Sequence, residues 1–309
     1  MAELLLSKGF EVHGLVRREA LEDRYHRLSN IAPIKDRVCL HVGSVDNHLS
    51  IYKVVAEVRP DQCYHLAASS FVSYAFDDEG ASLATNFSST HFLLSSLKEL
   101  APDCRFYLAG SSEMFGEPNV TPQDETTRFN PRSIYGISKV ASHHLVTNYR
   151  SQHQLFACTG ILYNHESPRR KYEFVTRKIS STVARIHCGL ADRLELGNLH
   201  ASRDWGYAPD YVDAMQRMLE HDTPDDYVIA TGNLHTVEEF VEMAFSVVSK
   251  DYRNYLAINP EYYRPEGKTP LVGDCAKSSR VLGWQPTKPL QAIIEEMVLA
   301  DIRLLESKT

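Results

Sequence analysis

The chain has 309 residues, of which 43% are hydrophobic and 24% charged, with a net charge of -7 at pH 7. This composition is typical of a globular protein of one or two domains, and a negative charge without basic runs argues against a nucleic-acid partner. No apolar stretch approaches the ~20 residues of a membrane span, and the first residues lack the basic-then-apolar order of a secretory signal. We therefore expect a cytoplasmic protein.

The cysteine and histidine patterns favour a protein without disulfides or metals. The six cysteines are scattered without C-x-x-C spacing, which favours reduced thiols. The pairs His143-His144 and His165-Glu166 do not have the spacing of a metal motif such as H-E-x-x-H. We predict no metal site, and we interpret the glycosylation-type sequences at Asn86 and Asn119 as chance matches.

Strands and helices alternate through the first half of the chain. The predicted strands are 10–16, 37–42, 62–67, 105–109 and 155–162, and the predicted helices are 2–8, 49–58, 81–100 and one from Ile134. Alternation of strands with helices of ten or more residues predicts parallel crossovers. We therefore expect an α/β fold with a doubly wound, parallel, Rossmann-like sheet.

The pattern becomes mixed beyond residue 164. The predicted helices there are 174–187, 211–219 and 237–248, and the predicted strands are 193–196 and 227–230. This predicts a smaller, mixed α/β substrate-binding lobe, whose segments interleave with the sheet domain.

A Gly-rich turn typical of this fold is missing near the start. In doubly wound proteins that turn follows the first strand and holds the pyrophosphate of a dinucleotide. Gly9, Gly14 and Gly43 lie outside any G-x-x-G-x-x-G run, and no strand precedes the first helix. With strand order 3-2-1-4-5-6 the missing strand is central, so two internal edges are expected to lack partners. We expect Met1 to be an internal methionine of a protein that begins about one strand and one turn earlier; a truncated, cofactor-poor protein is the alternative.

Tyr135 and Lys139 are the candidate catalytic pair. Residues four apart on a helix share a face, and a nearby ammonium favours the phenolate of a tyrosine, whose ordinary pKa is ~10. Pro131 and Ser133 predict a helix start just upstream, and Ser111-Ser112-Glu113 follows a predicted strand. Y-x-x-x-K alone more often marks a solvated helix face, but this setting makes Tyr135 a candidate general base.

Eight sequence runs are distributed between Ala2 and the carboxyl end of the chain: EVHGLVRR, GSSEMFGE, PRSIYGISK, NHESPRR, FVTRKI, SRDWG, DDYVIATG and YRP. The resemblance that they carry is to the GDP-mannose 4,6-dehydratase family of the extended short-chain dehydrogenases/reductases. It implies an NADP-dependent hydro-lyase that oxidises C4 of GDP-mannose, eliminates water across C5–C6 and returns the hydride to C6. The expected product is GDP-4-keto-6-deoxymannose, a precursor of deoxysugars. Residues 1–163 would form the NADP-binding domain and 164–309 mainly the substrate-binding lobe.

The resemblance also assigns catalytic roles. Tyr135 would take the C4 hydroxyl proton, and Lys139 would lower its pKa and bind the ribose of the cofactor. Glu113 would remove the C5 proton and assist loss of the C6 hydroxyl, while Ser111 would hydrogen-bond the C4 oxygen. A 4-ketoreductase or epimerase needs Tyr135 and Lys139 but no C5 base, so Glu113 discriminates between these activities.

Binding roles follow in the same way. The resemblance implies cofactor contacts from Arg17, Arg18, Tyr135, Lys139 and Arg170, with the first two suited to the 2′-phosphate of NADP. It implies substrate contacts from Asn164, Val175, Lys178, Arg203 and Arg264, with the two arginines on the diphosphate. Arg169 and Arg170 resemble a segment that reaches a neighbouring subunit, so we expect a homodimer or homotetramer.

Several positions depart from the family pattern. Ser44 stands where the family usually has an adenine-contacting aspartate, Ser69 replaces a glutamine, and Glu19 replaces a serine after the arginines. The ribose-binding acid of the family has become Gly267 or has moved to Glu266. These departures leave open a related nucleotide sugar as substrate. The alternatives are an NADP-dependent 4-ketoreductase or epimerase, and a non-catalytic truncated remnant that acts as a partner subunit.

Overall fold

The computed structural model describes residues 1–22, 28–69, 79–263 and 269–307. Its strands are β1 Val12–Val16, β2 Val38–Val42, β3 Gln62–His65, β4 Arg105–Ala109, β5 Ala157–Leu162, β6 Asn164–Glu166, β7 Leu194–Leu196, β8 Ser202–Arg203, β9 Trp205–Tyr207, β10 Tyr227–Ile229, β11 His235–Thr236 and β12 Leu256–Ile258. Its helices are α1 Ala2–Ser7, α2 Arg18–Glu22, α3 His48–Val58, α4 Glu79–Leu83, α5 Ser89–Leu100, α6 Ile134–His153, α7 Val175–His187, α8 Ala208–Glu220, α9 Val237–Val247, α10 Ala276–Leu282 and α11 Leu290–Glu306. None of these helices is long and apolar enough to cross a lipid bilayer.

The chain divides into two compact units. Unit 1 comprises Met1–Gly116, Phe129–Ile161 and Val212–Tyr227, and unit 2 comprises Glu117–Arg128, Leu162–Tyr211 and Val228–Thr309. The functional division at residue 163 stays a prediction.

Unit 1 contains parallel strands in two separate sets. β1 pairs with β2 in parallel, Val12 opposite Val38, and this pair forms a sheet of its own among the described residues. β4 pairs in parallel with β3 on one side and β5 on the other. The order of that sheet is β10-β5-β4-β3, and β10 begins in this unit at Tyr227. The doubly wound parallel α/β fold is thus confirmed.

Helices pack on both sides of these strands because the strands are apolar on both faces. Phe106 and Leu108, on one face of β4, share a buried cluster with Leu94 of α5 and Val146 of α6. Tyr107, on the other face, is also fully buried, and its neighbour Cys158 in β5 lies 3.8 Å from the Met218 carbonyl of α8. The start of α3 is fixed by Asn47, whose side chain accepts a hydrogen bond from the Ser50 N–H at 3.0 Å. This packing holds the carboxyl ends of β3, β4 and β5 at one edge.

The predicted helix at 81–100 is interrupted. A π-helical turn, Ala84–Ser88, separates α4 from α5 and contains the fully buried Asn86. Such single-turn bulges often occur at functional positions.

Unit 2 is built around a cluster formed by α7, α9 and α11. Ile179, Phe240, Ile294 and Val298 are all fully buried in it. The short strands pair two by two: β6 with β9 and β7 with β12 in parallel, and β8 with β11 antiparallel.

Candidate active site

A tight turn at the carboxyl end of β4 carries the first two predicted catalytic residues. Gly110, directly after β4, donates its N–H to the Gly160 carbonyl at 2.8 Å. Ser111 then begins a one-turn helix, because its Oγ accepts a hydrogen bond from the Glu113 N–H at 3.3 Å. The neighbouring Ser112 is buried, whereas Ser111 and Glu113 are half-buried. The turn thus fixes the backbone of these two residues and leaves part of each side chain accessible.

Helix α6 carries the other two predicted catalytic residues, Tyr135 and Lys139. The Ser133 hydroxyl accepts a hydrogen bond from the Gly136 N–H at 3.1 Å, so the predicted helix start is confirmed. Tyr135 is 8% exposed and Lys139 is 2% exposed. The Lys139 ammonium lies 5.8 Å from the centre of the Tyr135 ring and donates a hydrogen bond to the Ala109 carbonyl at 2.8 Å. The Lys139 ammonium is therefore held beside Tyr135 by the last residue of β4, Ala109.

A glycine brings the turn and the helix together. A Cβ added to Gly136 would lie 2.5 Å from the Glu113 carbonyl oxygen, closer than Cβ atoms approach other atoms. Only glycine therefore allows α6 to contact the turn at this distance. Because Gly136 follows Tyr135 directly, the structure brings together the backbones of the two segments that carry the four predicted catalytic residues.

The ammonium of Lys139 has an unusual environment. Burial lowers the pKa of Lys139 to about 8. His65, at the end of β3, has its pKa lowered to about 3, first by burial and then by the charge of Lys139, so it is neutral at physiological pH. Its Nε2 lies 3.0 Å from the Ser89 hydroxyl and donates to it, since that hydroxyl already donates to the Thr85 carbonyl.

Asn86 belongs to this region and was missed by the sequence interpretation, which treated it as part of a chance glycosylation sequence. Its Oδ1 accepts a hydrogen bond from the Ser69 N–H at 2.8 Å, and its Nδ2 donates to the Ser138 hydroxyl at 3.1 Å. The Ser138 hydroxyl donates in turn to the Tyr135 carbonyl at 2.7 Å. The available signal in the sequence was the spacing of Asn86, Ser89 and Thr90, three polar residues that share one helix face. All three are fully buried in the structure.

The predicted cofactor arginines, Arg17 and Arg18, lie beyond the carboxyl end of β1, and Gly43 and Ser44 lie beyond the carboxyl end of β2. Arg17 follows β1 and Arg18 begins α2, and both are exposed. Gly43, after β2, donates its N–H to the Val16 carbonyl at 2.9 Å. Ser44 comes next, with its hydroxyl 3.4 Å from an Asp46 carboxylate oxygen. Doubly wound sheets bind ligands outside the carboxyl ends of their strands, so these positions suit a nucleotide.

Four of the predicted substrate residues lie in unit 2. Asn164 begins β6, and it pairs with Trp205, two residues beyond Arg203. Val175 and Lys178 lie in the first turn of α7. The other named position, Arg264, lies outside the described residues, as do Glu266 and Gly267.

Lys178 and Arg203 already have neighbours within this unit. The Lys178 ammonium lies 3.7 Å from the centre of the Tyr262 ring, and burial lowers the pKa of Lys178. Arg203 donates a hydrogen bond from its Nη1 to the Ser202 carbonyl at 2.7 Å. Both groups remain half-buried cations that a phosphate could approach.

The Arg170 side chain contacts two residues of its own unit, Glu166 and Phe174. Its Nε lies 3.4 Å from a carboxylate oxygen of Glu166, and its guanidinium lies 3.6 Å from the centre of the Phe174 ring. Glu166 is 1% exposed and also accepts a hydrogen bond from the Thr176 hydroxyl at 2.7 Å. The role of Arg170 in cofactor binding stays a prediction.

Comparisons with known proteins agree with one another. A family model described as GDP-mannose 4,6 dehydratase matches residues 1–297. GDP-mannose 4,6 dehydratase 2 of Arabidopsis thaliana is 42% identical over 314 residues, covering 98% of this chain and 83% of the plant protein. GDP-mannose 4,6 dehydratase of Homo sapiens is 40% identical over 332 residues, covering 99% of this chain and 89% of the human protein.

Solved structures show the same fold at lower identity. RMD from Pseudomonas aeruginosa, solved with NADPH, superposes with a TM-score of 0.80 at 22% identity, covering 95% of this chain and 99% of that chain. UDP-glucose 4-epimerase from Thermotoga maritima, solved with UDP-glucose, gives a TM-score of 0.85 at 20% identity, covering 98% and 94%. These similarities extend over both units of the chain.

Proposed function

We infer, because the chain belongs to the GDP-mannose 4,6-dehydratase family, that it removes water from GDP-mannose with NADP as redox cofactor. The product is GDP-4-keto-6-deoxymannose, and the enzyme is a hydro-lyase. One observation carries the assignment of its catalytic centre. Gly136 places the first turn of α6, with Tyr135 and Lys139, against the turn that bears Ser111 and Glu113.

The residues at the sheet edge fit NADP. Among the described residues, the three N–H bonds of the Lys139 ammonium have one acceptor, the Ala109 carbonyl, so two remain for the hydroxyls of a ribose. Arg17 and Arg18 are exposed beyond β1 and offer planar donors for a 2′-phosphate. When bound, NADP supplies hydride transfer, which removes a hydride from C4 of the sugar and later delivers it to C6.

Tyr135 serves as the base for the oxidation. Its phenolate takes the proton of the C4 hydroxyl, and the positive charge of Lys139 stabilises that phenolate. The Ser111 hydroxyl donates a hydrogen bond to the C4 oxygen and holds it in place. Because the Lys139 ammonium is fixed to the end of β4, its charge does not move away from the tyrosine during the reaction.

Glu113 serves the elimination. Once C4 is a ketone, the hydrogen on C5 becomes acidic, and the Glu113 carboxylate removes it as a proton. The electron pair of the C5–H bond forms the C5–C6 double bond as the C6–O bond breaks. Glu113 then gives its proton to the departing hydroxide, so the leaving group is water and the carboxylate is restored. When C6 receives the hydride, C5 takes up one proton, which balances the proton that Tyr135 removed from the C4 hydroxyl.

Unit 2 supplies substrate contacts in this proposal. Asn164, Val175 and Lys178 contact the nucleotide sugar, and Arg203 binds its diphosphate together with Arg264. The half-buried positions of Lys178 and Arg203 support this assignment.

The decisive experiment compares Glu113→Gln with the unchanged enzyme, using GDP-mannose, NADP and mass spectrometry of the sugar nucleotide. We expect dehydration to fall by about 100-fold or more, because a general base is removed. NADPH absorbance should rise in a single turnover, because Tyr135 and Lys139 still support oxidation of C4.

Glu99→Gln, an exposed change in α5, is the matched control. Unchanged dehydration by Glu113→Gln would refute the assignment, and turnover of 4-keto sugars with no dehydration by the unchanged enzyme would favour a reductase or epimerase.

We also propose a cytoplasmic homodimer or homotetramer. All six cysteines are free thiols, which supports a reducing compartment. Arg169 is exposed in the segment that the resemblance assigns to a neighbouring subunit. Sedimentation of the purified protein should give two or four times the chain mass of 35.0 kDa, and a species of one chain mass would contradict the proposal.

A further inference from the structure

Three potential metal ligands meet on the β1–β2 pair. One ligand atom from each of Glu11, His13 and Cys39 lies within 4.8 Å of the others. His13 and Cys39 are directly paired in the parallel register of β1 and β2, so their side chains leave the sheet on the same face. Glu11 lies two residues before His13 and reaches the same place. All three residues are exposed, and none takes part in the proposed dehydration.

A second layer of groups orients the ring of His13. Its Nδ1 lies 2.9 Å from Nε2 of His41, and the two rings stack with their centres 5.2 Å apart. His41 Nδ1 lies 3.7 Å from a carboxylate oxygen of Glu57 on α3. The other nitrogen of His13, Nε2, lies 3.0 Å from a carboxylate oxygen of Glu11.

Two proton arrangements fit these contacts. In the first, His13 donates from Nε2 to Glu11, and His41 donates from Nε2 to His13. In the second, His41 carries its proton on Nδ1 toward Glu57 and accepts a hydrogen bond from Nδ1 of His13. The second arrangement leaves a lone pair on His13 Nε2 facing the lone pairs of a carboxylate, which a shared cation would stabilise. A metal-bound histidine whose other N–H is held by a carboxylate-linked group is the usual form of such a site.

We propose that Glu11, His13 and Cys39 bind one zinc ion, with His41 and Glu57 fixing the ring of His13. Sulfur, imidazole nitrogen and carboxylate oxygen are the ligands that zinc accepts, and water would complete a tetrahedron. On binding, the Cys39 thiol releases its proton to solvent and coordinates as the thiolate. This proposal differs from the expectation of no metal site, which was based on spacing along the sequence.

The zinc site and the cofactor site lie at different ends of β1. His13 is four residues before Arg17, which corresponds to about 13 Å along an extended strand. Zinc and NADP are therefore expected to bind at the same time, each at its own site. The zinc proposal does not depend on the proposed function.

Cobalt substitution tests the site directly. The purified full chain, stripped with a chelator, is titrated with Co²⁺, and the near-ultraviolet charge-transfer band of a thiolate–cobalt bond is followed. We expect one equivalent to bind, with the band lost in Cys39→Ser and kept in the control Cys188→Ser, a half-buried cysteine outside the cluster. Zinc should displace the cobalt. Absence of the band in the unchanged chain, or its persistence in Cys39→Ser, would overturn the proposal.

The orienting residues are tested by affinity. His41→Phe keeps a stacked ring but removes both nitrogens, and we expect the zinc affinity to fall about 10- to 100-fold. An affinity equal to that of the unchanged chain would overturn the role of His41. The far-ultraviolet circular dichroism spectrum of Cys39→Ser should match that of the unchanged chain, which verifies that the variant is folded.

Discussion

The buried ammonium of Lys139 sets a pH limit on the proposed reaction. Burial lowers its pKa from 10.5 to about 8, so the charge beside Tyr135 is lost as the pH rises above that value. We predict that kcat/KM for GDP-mannose falls on the alkaline side with an apparent pKa near 8. Initial rates measured at saturating NADP across this range would check the prediction, and a rate that stays constant to pH 10 would contradict it.

The same lysine affects stability in the opposite direction. A lowered pKa in the folded state means that the unfolded chain binds more protons between pH 8 and 10.5. The free energy of unfolding should therefore rise with pH across that window through this group. Methionine does not titrate, so the variant Lys139→Met lacks this contribution. The free energy of unfolding, measured with urea across this pH range, should therefore rise with pH in the unchanged protein and not in Lys139→Met. Equal slopes in both proteins would show that Lys139 does not have the lowered pKa.

Gly136 is the other single residue on which the site depends. Gly136→Ala would place a methyl group 2.5 Å from the Glu113 carbonyl oxygen, so either the turn or the helix must shift. We predict a loss of about 1–3 kcal/mol in the free energy of unfolding and a lower kcat. Ile137→Ala, one residue further along and exposed, is the control. A Gly136→Ala enzyme as active as this control would show that the close contact is not required.

At the scale of elements, Asn86 joins three segments of unit 1. It links the loop after β3, the π-helical turn and α6 through the Ser69 N–H and the Ser138 hydroxyl. Asn86→Ala removes the acceptor of the Ser69 N–H and the donor to the buried Ser138 hydroxyl. We predict a loss of about 1–3 kcal/mol in the free energy of unfolding. Because Ser138 also contacts the Tyr135 carbonyl, kcat should fall as well. Asn119→Ala, at an exposed position, should change neither the stability nor kcat.

In unit 2, Asp204 holds the loop that follows β10. Its carboxylate, fully buried, accepts hydrogen bonds from the Thr231 N–H at 2.9 Å, the Thr231 hydroxyl at 2.6 Å and the Gly232 N–H at 2.9 Å. Asp204→Ala would remove the buried carboxylate that accepts these three hydrogen bonds. We predict a loss of about 1–3 kcal/mol in urea unfolding. Asp222→Ala, at an exposed position, should cost less than about 0.5 kcal/mol, and equal losses would contradict the assignment.

At the scale of the whole molecule, the alternating pattern was sufficient to predict the fold. Strands and helices of five or more residues have enough positions to show their periods, and β1, β2, β4, α3 and α7 begin within two residues of their predicted starts. The two-residue strands β8 and β11 show no period and were not predicted. The amphipathic helix α11 was also missed, although its length gave a sufficient signal.

From spacing alone, without the family resemblance, the candidate site was predictable only where its residues are close in sequence. Tyr135 and Lys139 share a helix face, and Ser133 marks the helix start, so local spacing was enough. The role of Asn86 depends on contacts with Ser69 and Ser138, 17 and 52 residues away in the chain. The cluster of Glu11, His13 and Cys39 forms only because β1 pairs with β2. Spacing rules for metal motifs describe ligands close in sequence, so they do not predict this cluster.

The separate β1–β2 pair has a consequence for how the backbone amides exchange with solvent. β4 has a hydrogen-bonded neighbour on each side, and its Phe106, Tyr107 and Leu108 are fully buried. Within the described part of the chain, β1 has β2 as its strand partner. Opening β1 therefore breaks fewer contacts than opening β4, and the two sheets need not open together. Deuterium should enter β1 peptides well before β4 peptides, and a ligand at Arg17 would slow exchange in the former while leaving the latter unchanged.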